Sequence, residues 1–192
     1  MPIAVQLGLG VSVLVGLGVL GLLGRRLLGR WLACRGTRIV VCPESRDMVA
    51  VEVDAAHAAL VTTHGRPDLR LESCTRWPER RACGQECLGQ VESAPEACLL
   101  LNILGDWYRG QTCAFCGRAF AAVRWHDHKP ALLAPDGSII EWSDFRPEQV
   151  IDVLAGHVAV CWDCKVSESF RQAHPELVTD RPPRLGPPPS MA

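Results

Sequence analysis

Cys113-Ala-Phe-Cys116-Gly117 and, across a gap of 44 residues, Cys161-Trp-Asp-Cys164 decide how this chain is read. Each C-x-x-C turn presents two thiols at a spacing that one ion can bridge, and four thiolates complete a tetrahedral zinc site. Cys113, Cys116, Cys161 and Cys164 are therefore the expected ligands of a first metal site. The gap between the pairs must hold structure of its own. Ala131–Trp142 carries Pro135-Asp136-Gly137 between two apolar runs, a hairpin signal. Pro147–Leu154 reads as a short helix with proline in its first turn, and Val158–Val160 leads into a helix opened by the second cysteine pair. Val123–Trp125 is expected to extend as a strand.

That order of knuckle, hairpin and helix-borne cysteine pair resembles the treble-clef zinc finger, a relative in shape of the zinc ribbon, over about 65 residues. The resemblance implies that the last two ligands sit on the first helical turn, at the positive end of the helix dipole. The extra helix at 147–154 departs from the family pattern. Other uses of paired cysteines fit less well. Covalent haem attachment needs histidine where Gly117 and Lys165 stand, and no parallel βαβ unit supports a thioredoxin-like dithiol. An iron–sulfur cluster remains the alternative to zinc, because four cysteines suit either.

Upstream, Arg38–Pro43 and Met48–Asp54 are β-rich runs joined by a polar turn, a hairpin with Cys42 ending its first strand. Asp54 is placed to cap a helix over 55–62, closed by His64-Gly65-Arg66-Pro67, and Leu69–Ser73 is a third strand delivering Cys74. Pro78 opens an expected helix to Val91 that places Cys83 and Cys87 on one face, and Pro95 opens another through Trp107. Cys42, Cys74, Cys83 and Cys87 make a candidate second site, looser in spacing than a C-x-x-C pair. The stretch Cys74–Leu88 resembles segments of cysteine-rich bacterial proteins that carry no assigned activity. Cys98, in an apolar run, reads as core, and Cys34 as a spare thiol.

Ile3–Leu23 is apolar except for Gln6 and Ser12, and Arg25, Arg26, Arg30, Arg35 and Arg38 follow it. Run length and trailing charge predict an uncleaved transmembrane helix with the rest of the chain in the cytoplasm. Gly8, Ser12 and Gly16 form a small-xxx-small face suited to self-association. A cytoplasmic setting also makes ten cysteines ligands and core residues, where an extracellular one would make them disulfides.

The expected architecture is thus α+β, in five segments: a transmembrane anchor at 1–24, a basic juxtamembrane segment at 25–37, a cysteine-rich module at 38–110, a treble-clef-like module at 111–178 and a proline-rich disordered tail at 179–192. No G-x-S-x-G, Walker, H-E-x-x-H or dinucleotide motif is present. His126-Asp-His128 is the one polar cluster with catalytic potential, but two histidines do not complete a catalytic zinc site. His57, His64, His157 and His174 stand alone. Net charge is −1, and acidic residues outnumber basic ones across 111–178, so nucleic acid is not an expected partner. Trp77, Trp107, Trp125 and Trp142 serve either a core or a protein partner. The expected function is a single-pass membrane protein with one or two closed zinc–thiolate sites and a scaffold or interaction role. The alternative is a membrane-tethered redox protein using an iron–sulfur cluster or reactive thiols.

Overall fold

The computed structural model describes residues 2–63, 66–80 and 82–178, with side chains omitted for 2–13, 62–63 and 66–67. The tail at 179–192 and His64 lie outside the described residues, and the expected Gly8–Ser12–Gly16 face falls largely where side chains are omitted. The class is α+β, with small sheets and mostly short helices.

Helix α1 (Pro2–Cys34) continues through Arg25, Arg26 and Arg30 without a break. Among the described residues no helix is long and apolar enough to cross a membrane. This corrects the expected transmembrane anchor, and with it the membrane localisation and cytoplasmic orientation that rested on it. At the end of α1, the Arg38 side chain, 1% exposed, donates to the carbonyls of Ala33 at 2.8 Å, Cys34 at 2.7 Å and Gly36 at 3.1 Å. A cation thus meets the negative end of the helix dipole and pairs its otherwise orphaned carbonyls.

Strands β1 (Arg38–Val41) and β2 (Met48–Val53) form the expected antiparallel hairpin. Asp54 caps α2 (Ala55–Leu60) by accepting from the His57 amide at 2.8 Å. A two-residue pair, β3 (Thr62–Thr63) with β4 (Arg66–Pro67), precedes β5 (Leu71–Cys74), which pairs with β2. Strands β1 and β2 are apolar nearly throughout because both of their faces are covered. Ile39 and Ala50 enter one core, while Val40, Val49, Val51 and Val53 enter the other.

The helix expected from Pro78 to Val91 does not form; turns occupy 75–80, and α3 covers only Leu88–Ser93. Gln85 takes φ +55°, which no helix interior accommodates, and its side chain accepts from the Leu71 amide at 2.8 Å. Helix α4 (Leu100–Arg109) likewise begins later than Pro95. Leu99 is extended and bridges Arg38, with the Ile39 amide bonded to the Cys98 carbonyl at 2.8 Å. This pairing with β1 takes the place of a first helical turn.

The second sheet has the order β7-β6-β8, from β6 (Ala131–Leu133), β7 (Ile139–Ile140) and β8 (Val158–Val160). The β6–β7 turn is the expected one: Asp136 accepts from the Ser138 amide at 2.9 Å, and Gly137 takes φ +85°. A 3-10 turn at Pro147–Gln149 leads into α5 (Val150–Gly156), and α6 spans Trp162–Ala173.

Tyr108 is the centre of the larger core. Its ring centroid lies 4.9 Å from those of Trp107 and Phe120, 5.7 Å from Trp142 and 6.4 Å from Trp125. Its hydroxyl donates to the Ala131 carbonyl at 2.8 Å. This core joins Ile39 and Ala50 of the first sheet to Leu132, Val150 and Ala159 around the second. Three of the four tryptophans singled out in the sequence pack here, and Trp77 packs on the other core.

Candidate metal centre

The first cysteine pair sits on a tight turn whose geometry the backbone enforces. The Cys113 amide donates to the Arg118 carbonyl at 2.9 Å and the Gly117 amide returns to the Cys113 carbonyl at 2.9 Å. Gly117 has φ +69°, a left-handed conformation that costs glycine little and a branched residue much. The Ala114 amide donates to the Ala159 carbonyl at 2.9 Å, which fastens this turn to β8. Strand β8 then delivers Cys161 in extended conformation as the N-cap of α6, and Cys164 falls in the helix's first turn. One sheet thereby positions both pairs.

All four Sγ atoms lie within 4.8 Å of one another, and Cys116 Sγ is 3.8 Å from Cys161 Sγ. Zinc–sulfur bonds of about 2.3 Å make a tetrahedron whose edges are about 3.8 Å, so the donor set fits one zinc-sized ion. Cys113 is buried, Cys161 and Cys164 are half-buried, and Cys116 is exposed. Burial opposes ionisation of Cys113, but amides of Cys161, Cys116 and Phe115 outweigh it and bring that thiol down to about 7. Burial pushes the Cys161 and Cys164 thiols up, and the Cys113 thiol adds to the rise at both. The cluster is thus poised to carry negative charge first at Cys113, with the Cys161 amide 3.4 Å from its sulfur. Arg118 spans the site from the turn to the helix, donating to Asp163 at 3.0 Å. Nothing but its charge marked Arg118 in the sequence, and its pairing with Asp163 is set by the fold.

The other expected ligands are arranged differently. Among the described residues, the first set is the one group of three or more candidate ligands gathered so closely. Cys42, Cys74, Cys83 and Cys87 instead line a shared cavity of about 110 Å³. Cys83 and Cys87 do not share a helical face, since Cys87 is the N-cap of α3 and Cys83 precedes the left-handed Gln85. Cys98 is buried, in keeping with a core role, and Cys34 is half-buried at the end of α1. His126 and His128 are exposed on a turn closed by an Arg124–His128 bridge, and the strand expected at Val123–Trp125 is reduced to that bridge. His128 Nδ1 lies 3.1 Å from an Arg124 guanidinium nitrogen.

No protein-family model, curated protein or solved structure matches this chain. Its reading therefore rests on the donor geometry.

Proposed function

We propose that the Cys113–Cys116–Cys161–Cys164 centre is a structural zinc site and that the part of the chain built on it is a treble-clef-like scaffold for protein contacts. The observation that carries this reading is the close set of four sulfurs, with one edge at the tetrahedral length for zinc. The order of a cysteine turn, a hairpin and a helix opening on the second pair supports the treble-clef comparison. Four protein ligands leave no open coordination position, which favours a structural role over catalysis. Val166 and Phe170 stand exposed one helical turn apart on α6, a start for a contact surface beside the metal-bearing turn. A polynuclear iron–sulfur cluster spaces its cysteine sulfurs more widely than a single ion does, so this geometry favours zinc.

Metal analysis and a visible spectrum of the full chain purified without added metal test the proposal. Zinc that disappears in Cys116→Ser/Cys161→Ser, with no absorbance above the protein band, is the expected result. Iron with a brown chromophore lost in the same variant overturns it.

A further inference from the structure

The cavity lined by Cys42, Cys74, Cys83 and Cys87 lies away from the centre just described and is built by different elements. Cys42 follows β1, Cys74 ends β5, and Cys83 and Cys87 flank the loop that enters α3. Two side-chain amides hold that loop in place. Gln85 accepts from the Leu71 amide of β5 at 2.8 Å. Gln90, on α3, accepts from the Val41 amide at 3.0 Å and donates to the Val41 carbonyl at 2.7 Å, imitating a neighbouring strand on the β1 edge. The clamps bring loop residues distant in sequence to the ends of both strands that carry a cysteine.

A core-filling role accounts for Cys87, which is buried; Cys42 and Cys74 pack against the same core but, like Cys83, are half-buried around an opening. The surroundings also suit an anionic centre. Four thiolates on one divalent ion leave a net negative charge, and the Arg76 guanidinium donates to Cys42 Sγ at 3.2 Å. Arg80 lines the same cavity. Glu44 lies 3.6 Å from Arg76 and 3.9 Å from Arg80, which holds both guanidiniums at the rim. Trp77 lines the cavity as well, and its buried Nε1–H has no partner among the described residues, a donor left over for a thiolate.

We propose that this cavity is a second thiolate metal site, taking a divalent thiophilic ion of the zinc class through Cys42, Cys74, Cys83 and Cys87. It is less closely gathered than the first. The inference is independent of the first centre, because the two share no ligand.

Zinc content of the full chain, measured after loading with zinc and washing with a weak chelator, tests it. The wild type is expected to hold about two ions and Cys42→Ser/Cys83→Ser about one. These two cysteines are half-buried, and circular dichroism checks that the variant folds. A single ion in the wild type that survives Cys42→Ser/Cys83→Ser and is lost in Cys116→Ser/Cys161→Ser overturns the second site while sustaining the first. A single ion with the opposite pattern sustains the second and refutes the first. Two ions retained in Cys42→Ser/Cys83→Ser also overturn it. The wild-type stoichiometry stands on its own if a variant fails to fold.

Discussion

Raising the pH should unfold this protein through its one tyrosine. Tyr108 is fully buried, and its hydroxyl proton is held by the Ala131 carbonyl at 2.8 Å. Burial pushes its ionisation far above the ordinary value of 10.0. The folded state therefore keeps the proton where the unfolded chain gives it up. Stability from this group is complete below pH 10 and falls as pH rises beyond it. Each pH unit above the unfolded value removes about 1.4 kcal/mol, so about 2.7 kcal/mol is gone two units above it. That is a substantial share of a typical ~5–15 kcal/mol total. Because the chain has a single tyrosine, phenolate absorbance reports Tyr108 alone. In an alkaline titration followed by absorbance and circular dichroism together, phenolate should appear only as secondary structure is lost. Tyr108→Phe should lose roughly 1–3 kcal/mol at neutral pH from the missing hydrogen bond, and depend less on alkaline pH than the wild type. A reversible phenolate titration near pH 10 with the dichroism intact would refute the buried, bonded placement of Tyr108.

Two further outcomes are expected. Zinc buffered at about 100 times its dissociation constant should stabilise the chain by about 2.7 kcal/mol through each site it fills, raising the thermal midpoint by roughly 5–11 °C. Cys116→Ser/Cys161→Ser should remove the part of that rise owed to the first centre, and an undiminished rise in differential scanning calorimetry would count against it. Asp54 caps α2 and pairs with Arg70 at 2.6 Å, and the His57 amide, then Arg70, holds its carboxyl below the usual value of 3.8. Its contribution is present above that value and lost as pH falls through the depressed one. Urea midpoints of the wild type and Asp54→Ala should differ at neutral pH and converge in strong acid; a constant gap would show that its charge is not involved.

Local chemistry was legible in the sequence, and long-range pairing was not. The β1–β2 hairpin, the Asp54 cap, the Pro-Asp-Gly turn and the helix opening at the second cysteine pair each depend on residues within a few positions of one another. The close approach of Cys113, Cys116, Cys161 and Cys164 was readable for the same reason, since each turn is specified locally. The helix expected over 78–91 failed because Gln85 finds Leu71, 14 residues away, and that bond outweighs helical propensity. The delayed start of α4 has the same origin in the pairing of Leu99 with Arg38. Gln85 and Gln90 look like any surface glutamine until the elements they clamp are in place. The anchor was inferred from the length of the apolar run and the arginines that follow it, and among the described residues no helix is long and apolar enough to cross a membrane.

The Arg38 contacts make the exit from α1 a weld where a hinge would be the default. Gly36, at φ +105°, gives the chain the backbone freedom of a joint, but three carbonyls around it are held by one buried guanidinium. Swinging α1 aside would break those bonds together and strip a charge of its partners. Arg38 is also the first residue of β1, and the next one, Ile39, belongs to the core shared with the second sheet. A displacement of α1 would therefore bear directly on β1 and, through Ile39, on the core that the two sheets share, so the helix is set as a lever on the fold.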